Sequence, residues 1–398
     1  MNSVLLEAQL KELLSEPIAS VINREQCTFD ELTAPFNKSL VLFGAGGLGR
    51  KTLTGLRRLG IEPLAFADNN PALWGKKVEG VLVMSPAVVA QKFGQRVAFV
   101  ITIWKGESTD QMSERRQQLE GLNCSRIVSF GPLFWKYPDI FMPHYAFDLP
   151  HKVYQQADQL RKVFSLWADD TSRYEYMAQL RWRMLLDFDG LPLPVKHEIY
   201  FPDDLVITLS NEVFVDCGAY DGDTIRSFIQ RGTFLFDRVI AFEPDPINFQ
   251  KLQQYVSTLP PNIRDRITIY QFAIGARREK VRFDASGTEA SAVGSGTLDI
   301  DCITLDEVLG DFRPTYIKMD IEGSEIEALK GARATIERTL PVLAICTYHR
   351  QDHLWHIPQL IHSMSDRYRF FLRPHLLEVW DLVCYAVPIS RLRVESFE

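Results

Sequence analysis

The sequence predicts an α/β protein built on two doubly wound, mostly parallel sheets. Short apolar runs of strand length alternate with stretches of helical periodicity along most of the 398 residues. A strand, a glycine loop, a helix and a second strand ending in an acid occur twice, first near residue 40 and again near residue 213. The tail carries two β-rich runs, YRFFLRP and EVWDLVCYAVP, joined by a short HLL loop, which predicts an antiparallel hairpin.

The first repeat opens with SLVLFGAGGLGR. Ser39 to Phe43 is an apolar strand, glycines follow, and Lys51 to Leu59 has helical spacing. PLAFADNN reads as a second strand ending at Asp68, and GVLVMSP, VAFVITIW and SRIVSF as further strands, which gives a domain over residues 37–131 behind a helical segment, 1–36. Residues 131–150, with four prolines and six aromatics, read as a linker packed on a surface. Residues 151–189 are helical by pattern, until LPLP ends the helix, so 132–196 forms a linker and helical connector.

The second repeat occupies 197–398. EVFVDCG is a strand and DTIRSFIQRG a helix closed by Gly232. RVIAFEPD is a strand ending in Glu243, after which Asp245 and Pro246 supply an N-cap and a first-turn proline. ITIYQFAIG, YIKMDIEG and PVLAICTYH are the third, fourth and fifth strands.

Composition narrows the function. Apolar residues at 46% and charged residues at 24% are globular values. A net charge of −7 gives no basic face for nucleic acid. Six scattered cysteines without a CxxC pair read as reduced buried thiols, and no window is long and apolar enough to span a bilayer. MNSVLLEAQLKELL lacks the basic start and apolar block of a signal peptide, so a cytoplasmic location is expected.

The chemistry centres on Asp216-Cys-Gly218-Ala219-Tyr220-Asp-Gly222, where an apolar strand ends in a sharp turn and glycines let backbone approach a ligand. Glu243, ending the next strand, can accept two hydrogen bonds from a ribose diol. The loop is not GxGxxG, and its acid precedes the glycines. A carboxylate there suits the cationic amino group of a bound amino acid and repels pyrophosphate. Together with the terminal hairpin, this favours S-adenosyl-L-methionine over NAD.

Asp320 and Glu322, alternate residues of a strand, share a face toward the ligand crevice and are candidate catalytic groups. Ser324 and Glu327 form a capping box, so neither acid is needed as a cap; Thr304 and Glu307 form another. His349, ending the fifth strand, is a candidate base for an acceptor hydroxyl. His349 and His353 are four apart, but no third ligand stands out beyond Asp320, and no metal is assigned.

VFVDCGAYDGDT, VIAFEPDPINFQKL, FAIG, ITLDEVL and IKMDIEGSEIEALKGA, in that order over about residues 197–390, resemble the FkbM family of methyltransferases. The resemblance implies a class I methyltransferase sheet and O-methylation of sugar or polyketide hydroxyls. It implies that Asp216, Gly218, Ala219 and Gly222 hold the methionine part, with Tyr220 and Thr224 beside them, Glu243 the ribose, and Ala273 the adenine. Tyr220 departs from the small or amide residue usual in such loops.

In the first repeat, Gly44, Gly46 and Gly49 follow a strand, open a helix and precede Asp68, the dinucleotide fingerprint in context. Residues 38–105 are similar to the small Rossmann-like domain of amino-sugar acetyltransferases, which implies a nucleotide-sugar ligand; the loop alone does not separate this from NAD. The expected function is thus an S-adenosyl-L-methionine-dependent O-methyltransferase acting on a small-molecule or glycan acceptor, with no nucleic-acid or membrane partner and oligomerisation open. An NAD-linked oxidoreductase and a non-catalytic ligand sensor are the alternatives.

Overall fold

The computed structural model describes residues 3–106, 110–231, 236–285, 287, 292–294 and 296–393. Contacts divide the chain into two compact units: Met1–Asp158 with Met177–Leu193 and Leu376–Trp380, and Gln159–Tyr176 with Pro194–His375 and Asp381–Glu398. The expected segments 1–36 and 37–131 thus fall in the first unit, and most of 197–398 in the second.

The first unit is built on strands β1 (Leu40–Phe43), β2 (Ala65–Ala67), β3 (Lys77–Val78), β4 (Val81–Met84), β5 (Ala98–Ile101) and β6 (Ile127–Ser129). They lie in the order β3-β4-β2-β1-β5-β6. All neighbours are parallel except β3 with β4. β1 and β5 are buried throughout, as expected of strands covered on both faces. The aromatic stretch after β6 corrects the expectation of a surface linker. Phe130–Lys136 is a helix, and Phe134, Trp135, Phe141 and Phe147 belong to the core. These rings supply apolar area that the short strands cannot.

Leu376–Trp380 belongs to the same unit. Val379 joins its core, and Trp380 lies against Trp104 with ring centroids 4.9 Å apart. The Glu378 carboxylate sits 3.0 Å from the guanidinium of buried Arg115 and accepts the amide of Met112.

The second unit contributes β7 (Glu212–Cys217), β8 (Phe236–Phe242) and β9 (Ile267–Tyr270). The chain then builds β10 (Ala273–Ile274), β11 (Glu279–Asp284), β12 (Ala292–Val293) and β13 (Leu298–Ile303), a separate sheet of order β10-β13-β11-β12 that the sequence reading missed. β14 (Tyr316–Met319), β15 (Val342–Cys346), β16 (Tyr368–Pro374) and β17 (Leu382–Pro388) complete the main sheet. Its order is β16-β17-β15-β14-β7-β8-β9. β9, β8, β7, β14 and β15 run parallel, and the expected hairpin β16–β17 closes one edge antiparallel. This is the mixed, parallel-dominated α/β architecture that the sequence predicts.

One strand differs from its reading. Residues 267–275 were expected to form a single strand, yet β9 ends at Tyr270 and Ala273 pairs with Cys302 in the smaller sheet. β9 stops where its partner β8 ends, at Phe242. Gly232, expected to close the helix Asp223–Gln230, lies outside the described residues. Among the described residues, no helix is long and apolar enough to cross a membrane.

Candidate functional site

The site of the second unit forms at the carboxyl ends of β7, β8, β14 and β15, where open parallel sheets bind ligands. β7 delivers Asp216 and then turns at Gly218, whose φ is +84°. A Cβ at Gly218 would lie 1.9 Å from the carbonyl oxygen of Asp320, so only glycine lets the two loops touch. The amides of Gly218 and Ala219 both donate to the carbonyl of Phe242 at 3.0 Å. Tyr220 and Gly222 also take left-handed backbone, and Gly222 starts the helix Asp223–Gln230, on which Thr224 is buried.

Glu243 follows β8 and is 5% exposed. Its Oε2 accepts the amide of Tyr220 and its Oε1 the amide of Asp245, each at 2.8 Å. Burial outweighs these two amides and pushes the carboxyl up to about 7. Asp245 caps the helix Pro246–Thr258 as expected, accepting from Ile247 and Asn248. Lys251, on that helix, holds its ammonium 5.1 Å from the centre of the Tyr220 ring.

Asp216 corrects one expectation. Its cation is not awaited from a ligand, because Lys318 Nζ lies 3.1 Å from its Oδ1 and donates to the Gly218 carbonyl at 2.6 Å. Both side chains are buried. Burial raises Asp216 to about 6 despite Lys318. For Lys318, burial is outweighed by Asp216, Asp320 and Asp223, which keep the amine charged. The sequence carried the signal, a lone lysine inside the apolar run YIKM, since a buried lysine requires a partner.

Asp320 and Glu322 do approach one another's neighbourhood, but not by strand alternation. β14 ends at Met319, and Glu322 sits in a turn with φ +53°. His349 Nε2 lies 3.3 Å from Asp320 Oδ1 and 3.6 Å from Glu322 Oε1. Its Nδ1 lies 2.8 Å from Glu325 Oε1, and Glu325 Oε2 lies 3.1 Å from His353 Nδ1. Asp320 Oδ2 accepts the Tyr200 hydroxyl at 2.7 Å. Burial disfavours the Asp320 carboxylate, but the neighbouring His349 and Lys318 bring it down to about 2.

Two further corrections follow. Ser324 makes no side-chain cap; Glu325 instead ties down the turn before the helix, its Oε1 accepting the amides of Ile321 at 2.9 Å and Gly323 at 3.4 Å. The other predicted box holds, with Thr304 Oγ1 accepting the amide of Glu307. His349 is not the near-neutral base expected, because its side chain is 1% exposed. Burial lowers its pKa, but Glu325, Glu322 and Asp320 outweigh this and raise it well above the usual histidine range. Glu325 was not singled out in the sequence, where it reads as an ordinary first-turn acid.

Residues 216–373 match the methyltransferase FkbM domain.

That stretch contains every site residue that the sequence singled out in the second unit, while Tyr200 lies before it. The crystal structure of the methyltransferase FkbM from Methylobacillus flagellatus KT superposes with a TM-score of 0.78 at 24% identity, covering 97% of this chain and 100% of that one. Two remoter structures match at TM-scores of 0.27. The methyltransferase domain of bacterial CtHen1 is 11% identical over 45% of this chain and 91% of its own. A Streptococcus mutans protein described as a methyltransferase, solved in complex with SAH, is 12% identical over 46% of this chain and 90% of its own. No curated protein matches the chain.

Outside the FkbM domain, the first unit repeats the loop construction. Gly44 has φ +114°, Gly46 caps the helix Gly47–Arg58, and a Cβ at Gly49 would lie 2.0 Å from the Gly44 carbonyl oxygen. Asp68 accepts the amides of Ala45 at 2.7 Å and Asn70 at 2.8 Å. Asp68 thus holds its glycine loop as Glu243 holds the later one.

Proposed function

We propose that the second unit transfers the methyl group of S-adenosyl-L-methionine to a hydroxyl of a carbohydrate or secondary metabolite. The observation that carries this reading is Glu243, a buried carboxylate at the end of β8 that is held by the amides of Tyr220 and Asp245. Each of its oxygens retains an accepting direction for one hydroxyl of a ribose. Gly218 and Ala219 bring backbone to the same edge, where the methionine part of the cofactor would run. The Asp216–Lys318 pair fixes the floor of this turn rather than the ligand. The match to the methyltransferase FkbM domain supports the reaction type.

Methyl transfer is an in-line displacement, and holding the acceptor oxygen against the methyl carbon can supply roughly 7–11 kcal/mol of the barrier. The acceptor would enter past Asp320 and Glu322, whose side chains are 24% and 17% exposed. The test has two parts. Calorimetry with S-adenosylhomocysteine should show binding, and incubation with methyl-labelled cofactor and crude glycan or metabolite extracts should yield labelled product that resists mild base and releases its label as methyl iodide only in hot hydroiodic acid. Binding without any labelled product would favour a ligand sensor, and no binding would overturn the cofactor assignment.

A further inference from the structure

We propose that Asp320, Glu322 and His349 hold a divalent transition-metal ion, with Glu325 orienting the imidazole. What the ion does rests on the methyl-transfer reading, but whether it binds does not.

The His349 ring, with its side chain 1% exposed, stands between two acidic groups. On one side its Nδ1 meets Glu325 Oε1 at 2.8 Å. On the other, Nε2 faces Asp320 Oδ1 at 3.3 Å and Glu322 Oε1 at 3.6 Å. Neither Nε2 nor Asp320 Oδ1 has a hydrogen-bond partner, although both atoms are buried. Unpartnered buried polar atoms are costly, and an ion between them would satisfy both.

The supporting groups are built for this task. A ligating histidine commonly donates its other ring N–H to a carboxylate, which fixes the tautomer and bares the second nitrogen. Glu325 is placed for that role and cannot easily swing, because its Oε1 also accepts the amides of Ile321 and Gly323. Asp320 is held from behind by the Tyr200 hydroxyl on Oδ2, which leaves Oδ1 facing His349. Ligand atoms about 2.0–2.2 Å from a tetrahedral ion stand about 3.3–3.6 Å apart. The observed separations of 3.3 and 3.6 Å from Nε2 fit that edge length. Ligand atoms of Asp320, Glu325 and His349 also lie within 4.8 Å of one another. One imidazole with carboxylates suits Mn²⁺, Fe²⁺ or Zn²⁺ better than the all-oxygen preference of Ca²⁺.

The ion would bind the acceptor's hydroxyl oxygen and ease loss of its proton to solvent water. The oxygen then forms the new bond to the methyl carbon as the carbon–sulfur bond breaks, and the electron pair stays on sulfur as the sulfonium becomes a thioether.

The test uses the full chain, freed of metal with a chelator and titrated with Mn²⁺ alone while the free-ion electron paramagnetic resonance signal is followed. Saturable binding is expected in the wild type. It should be lost in D320N and H349Q and weakened roughly 10–100-fold in E325Q. S-adenosylhomocysteine binding by the same samples reports separately on folding and on the cofactor site. Should the buried variants fail to fold, E322Q, in the partly exposed turn, replaces them and is expected to weaken Mn²⁺. No saturable Mn²⁺ binding by the wild type, or affinity unchanged in every folded variant, would overturn the proposal. Mn²⁺ binding without S-adenosylhomocysteine binding would instead sink the methyl-transfer reading and leave the metal site standing.

Discussion

Replacing Glu243 by alanine should cost the protein most of its affinity for S-adenosylhomocysteine. Each oxygen of Glu243 already accepts one amide at 2.8 Å, from Tyr220 and Asp245, which leaves one accepting direction apiece for a ribose hydroxyl. Hydrogen bonds to a charged group contribute about 1.5–3 kcal/mol each. Losing two should therefore weaken binding by about 3–6 kcal/mol, roughly 10²–10⁴-fold. E243Q keeps the size and one oxygen but not the charge, and should fall between wild type and E243A. Titration calorimetry reads the dissociation constants directly.

The pH dependence adds a second readout for the same side chain. Burial brings the Glu243 carboxyl to about 7, so it ionises near neutrality. The ionised form is the better acceptor, and affinity should tighten from about pH 6 to about pH 8 in the wild type but not in E243Q. Stability of the ligand-free protein should move the other way. A carboxyl raised from 4.5 to about 7 on folding stabilises the fold fully below its unfolded value, and that contribution is lost as pH rises through about 7. An unchanged dissociation constant in E243A, or an affinity profile shared by wild type and E243Q, would refute the ribose assignment.

Two other substitutions probe the same crevice. K318M strands Asp216 as an unpaired buried charge and should cost roughly 3–5 kcal/mol by urea unfolding; the D216N/K318M pair should recover much of that, and additive losses would mean the two groups are uncoupled. G218A places a Cβ 1.9 Å from the Asp320 carbonyl in a backbone with φ +84°. Strain of about 1–2 kcal/mol from the left-handed backbone alone, plus the clash, should lower the melting temperature and abolish S-adenosylhomocysteine binding, and an ordinary melt with intact binding would contradict the close approach of the two loops.

Much of the fold could be read locally. Apart from the short β3, the strands of both main sheets, the two glycine loops and the β16–β17 hairpin each announce themselves within about a dozen residues through apolar runs and turn chemistry. The Asp245 and Thr304 caps are legible for the same reason. What escaped depends on distant chain segments meeting. Asp216 looks like a free acid until β14 brings Lys318 beside it, about a hundred residues on. Glu325 looks like a surface helix acid until β15 delivers His349. Ala273 could not be assigned to the smaller sheet without knowing that Cys302 pairs with it. The aromatic stretch 131–150 was misread because its prolines suggest a loop, whereas its rings supply the first unit's core.

The hairpin tip also has a consequence for how the protein is made. Arg115 is buried and meets Glu378 263 positions further along the chain. Val379 and Trp380 complete the same core. At about 5–20 residues per second, a ribosome needs on the order of 13–50 s to deliver that carboxylate after the arginine has emerged. Until then Arg115 has only its near neighbour Asp110 as a counter-charge, and the aromatic wall around Trp104 stands unfinished, so the first unit closes its core only when a segment far along the chain arrives.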